Sequence, residues 1–148
     1  METYKAMKDR HQSEVNDFLK QFAFFAFSKD QFAEGMKKLG LRKGQEKKLC
    51  YLGYSGGYIL KDHAAEFAGM MARLDQEQAE AVADPETGKE FALQMFRYEL
   101  ANHEYTYTLD VYETIEALGY SVDDINNNER LLEALREAAR QLREEAEE

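Results

Sequence analysis

Apolar side chains return at steps of three and four along most of this chain, and that spacing commits it mainly to helix. Residues 2–20, with Phe22 just beyond, show it first: Tyr4, Met7, His11, Val15, Phe18 and Phe22 share one face, with charged residues between them. Ser28, with Gln31 three residues on, reads as the cap of a second helix that carries Phe32, Met36 and Leu39 and closes at Gly40. Asp62 is expected to cap a third, with Phe67, Met70, Met71, Leu74 and Val82 inside, ending at Asp84-Pro85. Pro85 is the only proline and suits the first position of a fourth helix over residues 86–105. Apolar residues on more than one face of that helix (Phe91, Met95, Phe96, Tyr98, Leu100, Tyr105) mark it as the central one. Asp110 with Glu113, and Ser121 with Asp124, repeat the capping-box spacing, and Gly119 ends the short helix between them. Asn126-Asn127-Asn128 then caps a last helix with Leu131, Leu135, Ala138 and Leu142 as its buried stripe.

Two stretches depart from the helical period. Leu49–Leu52 and Tyr58–Leu60 flank Gly53-Tyr54-Ser55-Gly56-Gly57 and read as a β-hairpin. Phe22–Phe27 is too apolar to be exposed and too short to assign by period, so it is either the buried end of the first helix or a short strand. The expected class is α+β, mainly α: one helical domain over residues 1–143 with about five to seven helices and one small hairpin. The tail Glu144–Glu148 is expected to fray into water. A length of 148 residues suits one core rather than two.

Charge is divided unevenly. Residues 1–63 carry 12 Lys/Arg against 8 Asp/Glu, and residues 64–148 carry 7 against 21, which joins a +4 half to a −14 half. A net charge of −10 argues against direct binding of nucleic acid, whose sequence-independent affinity comes from cations on phosphate. A field of one sign instead selects protein partners of the opposite sign. The acidic surface runs through Glu99, Glu104, Asp110, Glu113, Glu116, Asp123 and Asp124, joined by Glu129, Glu133 and Glu137 on the last helix. A basic patch occupies a helix end and loop at Lys37, Lys38, Arg42, Lys43, Lys47 and Lys48. Ordinary solvated faces are the plain reading of both; a docking face for a basic partner is the sharper one. A third reading is a salt-sensitive homo-oligomer in which the basic loop of one copy lies on the acidic half of another. The lone Cys50 fits a reducing cytoplasm, and neither a signal peptide nor a membrane span is expected.

Chemistry-bearing motifs are weak. Glu99 and His103 stand four apart on one helix face and could share a metal or act as an acid/base pair, but His11 and His63 lack ligand spacing to complete such a site. The plain reading is a packing pair; a small metal-dependent enzyme built on it stays as the alternative, and no cofactor is implied. Gly53–Gly57 lacks the Lys-Ser/Thr of a phosphate loop. Asp124–Asn128 begins like a calcium loop, but Glu129 stands where a glycine is needed and Leu135 where the bidentate Glu belongs.

Three stretches carry a family resemblance: Phe24-Phe25-Ala26-Phe27-Ser28 with Gln31-Phe32, then Gly56-Gly57-Tyr58, and above all Met95–Tyr105 followed by Tyr107-Thr108 and Ala117-Leu118-Gly119. Together they resemble a mostly uncharacterised family of small acidic proteins from phages and conjugative elements of gut bacteria. The resemblance implies a mobile-element protein, with anti-CRISPR inhibitors of type II CRISPR nucleases among its relatives. It assigns no catalytic residue, and Asn102-His103-Glu104 serve in it only as markers. The expected function is that of an acidic inhibitor bound to a basic surface of a nucleic-acid-binding nuclease.

Overall fold

The computed structural model describes residues 1–53 and 56–148; Tyr54 and Ser55, at the centre of the expected hairpin turn, lie outside them. The fold is α+β and mainly α, as the periodicity requires. Among the described residues there are eight helices and one three-stranded antiparallel sheet. The chain divides into two compact units, Asp9–Gln76 and a discontinuous one made of Met1–Lys8 with Glu77–Glu148. Each unit has its own apolar cluster.

In the unit of Asp9–Gln76, the strands are β1 (Ala23–Phe25), β2 (Leu49–Tyr51) and β3 (Gly57–Leu60), in the order β1-β3-β2. The Phe22–Phe27 run thus supplies a third strand, paired through Phe24 with Tyr58, but it is not buried throughout as its composition suggests: Phe25 and Phe27 are exposed. Helix α2 (Lys29–Lys38) lies on this sheet, with Met36 buried alongside Phe24, Ala26 and Leu49. Gly35 of α2 is where the Phe24 ring comes in: a Cβ there would stand 2.0 Å from its Cδ1. The Ser28 hydroxyl accepts from the Gln31 N–H, and Gly40, at φ +76°, closes the helix as expected.

The other unit is built around α4 (Gly88–Asn102) and α8 (Glu129–Ala146). Helix α4 buries Phe91, Ala92, Met95, Phe96 and Leu100, which confirms it as the central element of this unit. Tyr4 and Met7, from the start of α1 (Tyr4–Phe22), complete the cluster. The end of α3 (Lys61–Ala83) adds Val82. Helix α3 begins one residue before Asp62, which therefore sits in its first turn rather than at the cap. Pro85 lies in the turn before α4, not at its first position; the Asp84 carboxylate accepts there from the Glu86 and Thr87 N–H groups. Short helices α5 (Tyr105–Thr108), α6 (Tyr112–Ala117) and α7 (Val122–Asn126) follow. Ser121 and Asp124 form the expected capping box, and Asn128 caps α8 through the Leu131 N–H. The acidic tail stays helical to Ala146 instead of fraying from residue 144, because Glu144 pairs with Arg140 and Glu145 with Arg97.

Two carboxylates tie this unit to pH. Hydrogen bonds from Thr87 and Glu86 hold Asp84 below its ordinary pKa, and bonds from Arg140 and Gln141 bring Glu137 from 4.5 down to about 2. Both are depressed on folding, so their contributions are full above the unfolded values and disappear as pH falls through the folded ones. The expected result is a urea midpoint that drops between about pH 4.5 and pH 2, with Glu137→Gln removing part of that drop.

Candidate partner-binding surface

Residues 104–124 hold six carboxylates and no Lys, Arg or His. The folded chain leaves all six exposed: Glu104, Asp110, Glu113, Glu116, Asp123 and Asp124. None pairs with a lysine or arginine among the described residues; Glu113 Oε1 lies 3.3 Å from His103 Nδ1. Their field is therefore not cancelled locally.

Glu99, expected on the same face, is not part of it. Its side chain is buried and forms an ion pair with Lys8 of α1, whose ammonium also lies 4.8 Å from the centre of the Tyr98 ring. Burial and the Glu99 carboxylate together push the Tyr4 phenol above its ordinary pKa, so it stays protonated. The Glu99–His103 pair is thereby separated in role, one carboxylate turned to Lys8 and one imidazole turned to Glu113. Among the described residues no group of three or more His, Cys, Asp or Glu is arranged to hold a metal. A groove of about 910 Å³ between α4 and α8 is lined by side chains of both signs, including Glu90, Arg130, Glu137 and Arg140, and contains neither Glu99 nor His103.

What fixes the acidic segment is an alternation of inward and outward side chains. Tyr105 is buried, and its hydroxyl accepts from Arg143 Nη1 at 2.6 Å. Ile115 joins the core, and the fully buried Thr114 hydroxyl donates to the Glu99 carbonyl at 3.3 Å. Between these anchors Tyr107, Leu109 and Tyr112 point outward, at 88, 63 and 64% exposure. The backbone there turns twice without glycine: Glu104 at φ 58° ends α4 and Leu109 at φ 56° ends α5. A left-handed conformation costs a side-chain-bearing residue about 1–2 kcal/mol. The sequence reading missed this turn, because it carried helix four through to residue 105 and had no glycine to signal a stop.

The basic residues Lys37, Lys38, Arg42, Lys43, Lys47 and Lys48 are likewise exposed, around the end of α2 and the 3₁₀ turn Glu46–Lys48. Lys38 is partly committed, since its ammonium donates to the Ala23 carbonyl at the free side of β1. It thereby blunts an edge otherwise open to strand pairing. No helix among the described residues is long and apolar enough to cross a membrane.

Residues 3–141 match the model of a family described as one of unknown function (DUF7659). No curated protein and no solved structure matches the chain.

Proposed function

We propose that this chain, which belongs to the DUF7659 family, is a protein-binding inhibitor of the anti-CRISPR type, working in the cytoplasm on behalf of a mobile genetic element. Its acidic face takes the place of phosphate on a basic surface of a nucleic-acid-binding nuclease. The observation that carries this reading is the run of six exposed carboxylates over residues 104–124 with no basic residue among them. A guide-loaded type II CRISPR nuclease holds its nucleic acid in a positively charged channel, and a carboxylate-rich surface competes for the same cations. Exposed ion pairs contribute only about 0–1 kcal/mol each, so several must act together.

The test is DNA cleavage by several guide-loaded type II nucleases, titrated with this protein and with an unrelated acidic protein of similar size. Cleavage is expected to fall with this protein alone. Reversal of Glu113, Glu116, Asp123 and Asp124 to Lys is expected to abolish the inhibition while most of the helical circular dichroism is retained, since all four side chains are exposed and only the Asp124 half of the capping box on the short α7 is lost. Neutralising Lys37, Lys38, Lys43, Lys47 and Lys48 is expected to leave it in place. Inhibition unchanged by the four reversals would refute the acidic-face mechanism.

A further inference from the structure

We infer that Tyr107, Leu109 and Tyr112 form the apolar anchor of this acidic face, and that its partner is a basic protein surface carrying an apolar pocket bordered by Lys or Arg. The inference deepens the reading above and rests on it. Three large apolar side chains within six residues are turned to water, although the same segment buries Tyr105, Thr114 and Ile115. The fold therefore had inward positions available in this segment and filled them with other residues. Asp110 stands between Leu109 and Tyr112, and Glu104, Glu113 and Glu116 flank the three in sequence, so apolar contact and negative charge come from one short segment. Interfaces are dominated by a few such anchors, tyrosine prominent among them, with charged residues at the rim setting orientation and partner choice.

The backbone supports this role. Tyr105 is held by Arg143, and Thr114 by the Glu99 carbonyl, so the intervening residues are fixed at both ends to buried structure. Side chains presented from a fixed backbone lose less freedom on binding than those of a loose loop. Leu109 is the sharpest case: a left-handed φ of 56° is an unfavourable place for a leucine, and its side chain, 63% exposed, recovers little of that by burial. Glycine would suit the backbone better, and what leucine adds is an apolar surface pointing outward.

Binding is measured by fluorescence anisotropy of two labelled peptides on the full chain: a short amphipathic helix of leucine and lysine, and an oligolysine of equal charge. The leucine-lysine peptide is expected to bind at least about tenfold more tightly than oligolysine. Tyr107→Ser, Leu109→Gly and Tyr112→Ser combined are expected to erase that difference and leave oligolysine binding unchanged. Phe27→Ser, at another exposed aromatic (77%), is expected to change neither. Leu109→Gly alone is expected to raise the melting temperature while weakening the leucine-lysine peptide, which distinguishes an anchor from a structural residue. Equal affinity for the two peptides, or a combined variant that still discriminates between them, would overturn the anchor and spare the acidic face. Binding of neither peptide would overturn both.

Discussion

Gly88→Ala is expected to destabilise the protein by about 3 kcal/mol, read as a lower urea midpoint at unchanged slope. A glycine at the start of a helix ordinarily gains from replacement by alanine. Here the sign reverses, because the new Cβ would stand 2.1 Å from the Val82 carbonyl oxygen and 2.5 Å from Arg130 Nη1. The first neighbour is backbone and has no rotamer by which to withdraw. Moving it breaks the corner between α3 and α4, where Arg130 Nη1 donates to the Val82 carbonyl at 2.9 Å and to the Asp84 carbonyl at 2.8 Å. The same Asp84 carbonyl accepts the Gly88 N–H at 2.9 Å, so one displacement disturbs three hydrogen bonds. Gly69→Ala in α3 is the control: nothing lies within 4 Å of its Cβ, and a gain of about 0.5–1 kcal/mol is expected. A Gly88→Ala variant as stable as its parent would mean that the corner yields freely.

Lys8→Met is the second large effect, expected to destabilise by about 3 kcal/mol. The substitution keeps the apolar stem and removes the ammonium that faces the Glu99 carboxylate. With its side chain only 6% exposed, Glu99 has little water to turn to, and removing one partner of a buried pair leaves an uncompensated charge. Lys8 is itself 30% exposed, so some solvent reaches the site and the loss sits at the low end of the range for buried pairs. Adding Glu99→Gln to Lys8→Met should restore more than half of the lost stability, because a neutral amide needs no counter-ion. The double-mutant cycle over these two positions therefore reads their coupling directly. Additive losses would show that the two side chains act independently.

How much of this was legible in the sequence depends on how local each cause is. Ser28, Ser121 and Asn128 cap helices, and Gly40 and Gly119 end them, as their spacing indicates, since each contact spans only a few residues. The acidic and basic surfaces were legible for the same reason: charges packed densely along short exposed segments have few places to be buried. Glu99 was misplaced because its partner Lys8 is 91 residues away, and a helical period does not say which charged residue turns inward to meet another element. The two left-handed residues at Glu104 and Leu109 were invisible for a different reason. Nothing in glutamate or leucine announces that conformation, which becomes apparent only once the buried Tyr105 and the outward Tyr107 and Leu109 are seen together.

The membership of residues 1–8 in the unit completed by Glu77–Glu148 has a consequence for biosynthesis. Tyr4 donates its N–H to the Gln94 side chain and Lys8 meets Glu99, so during synthesis residues 4–8 cannot be seated until residues 94–99 have been made. Until then Tyr4 and Met7 are apolar surface without a home, while Asp9–Gln76 already has every residue of its own cluster. Closing so long a loop is the slow kind of step in folding. Residues 1–8, though made before the unit they complete, are among its last parts to find their place.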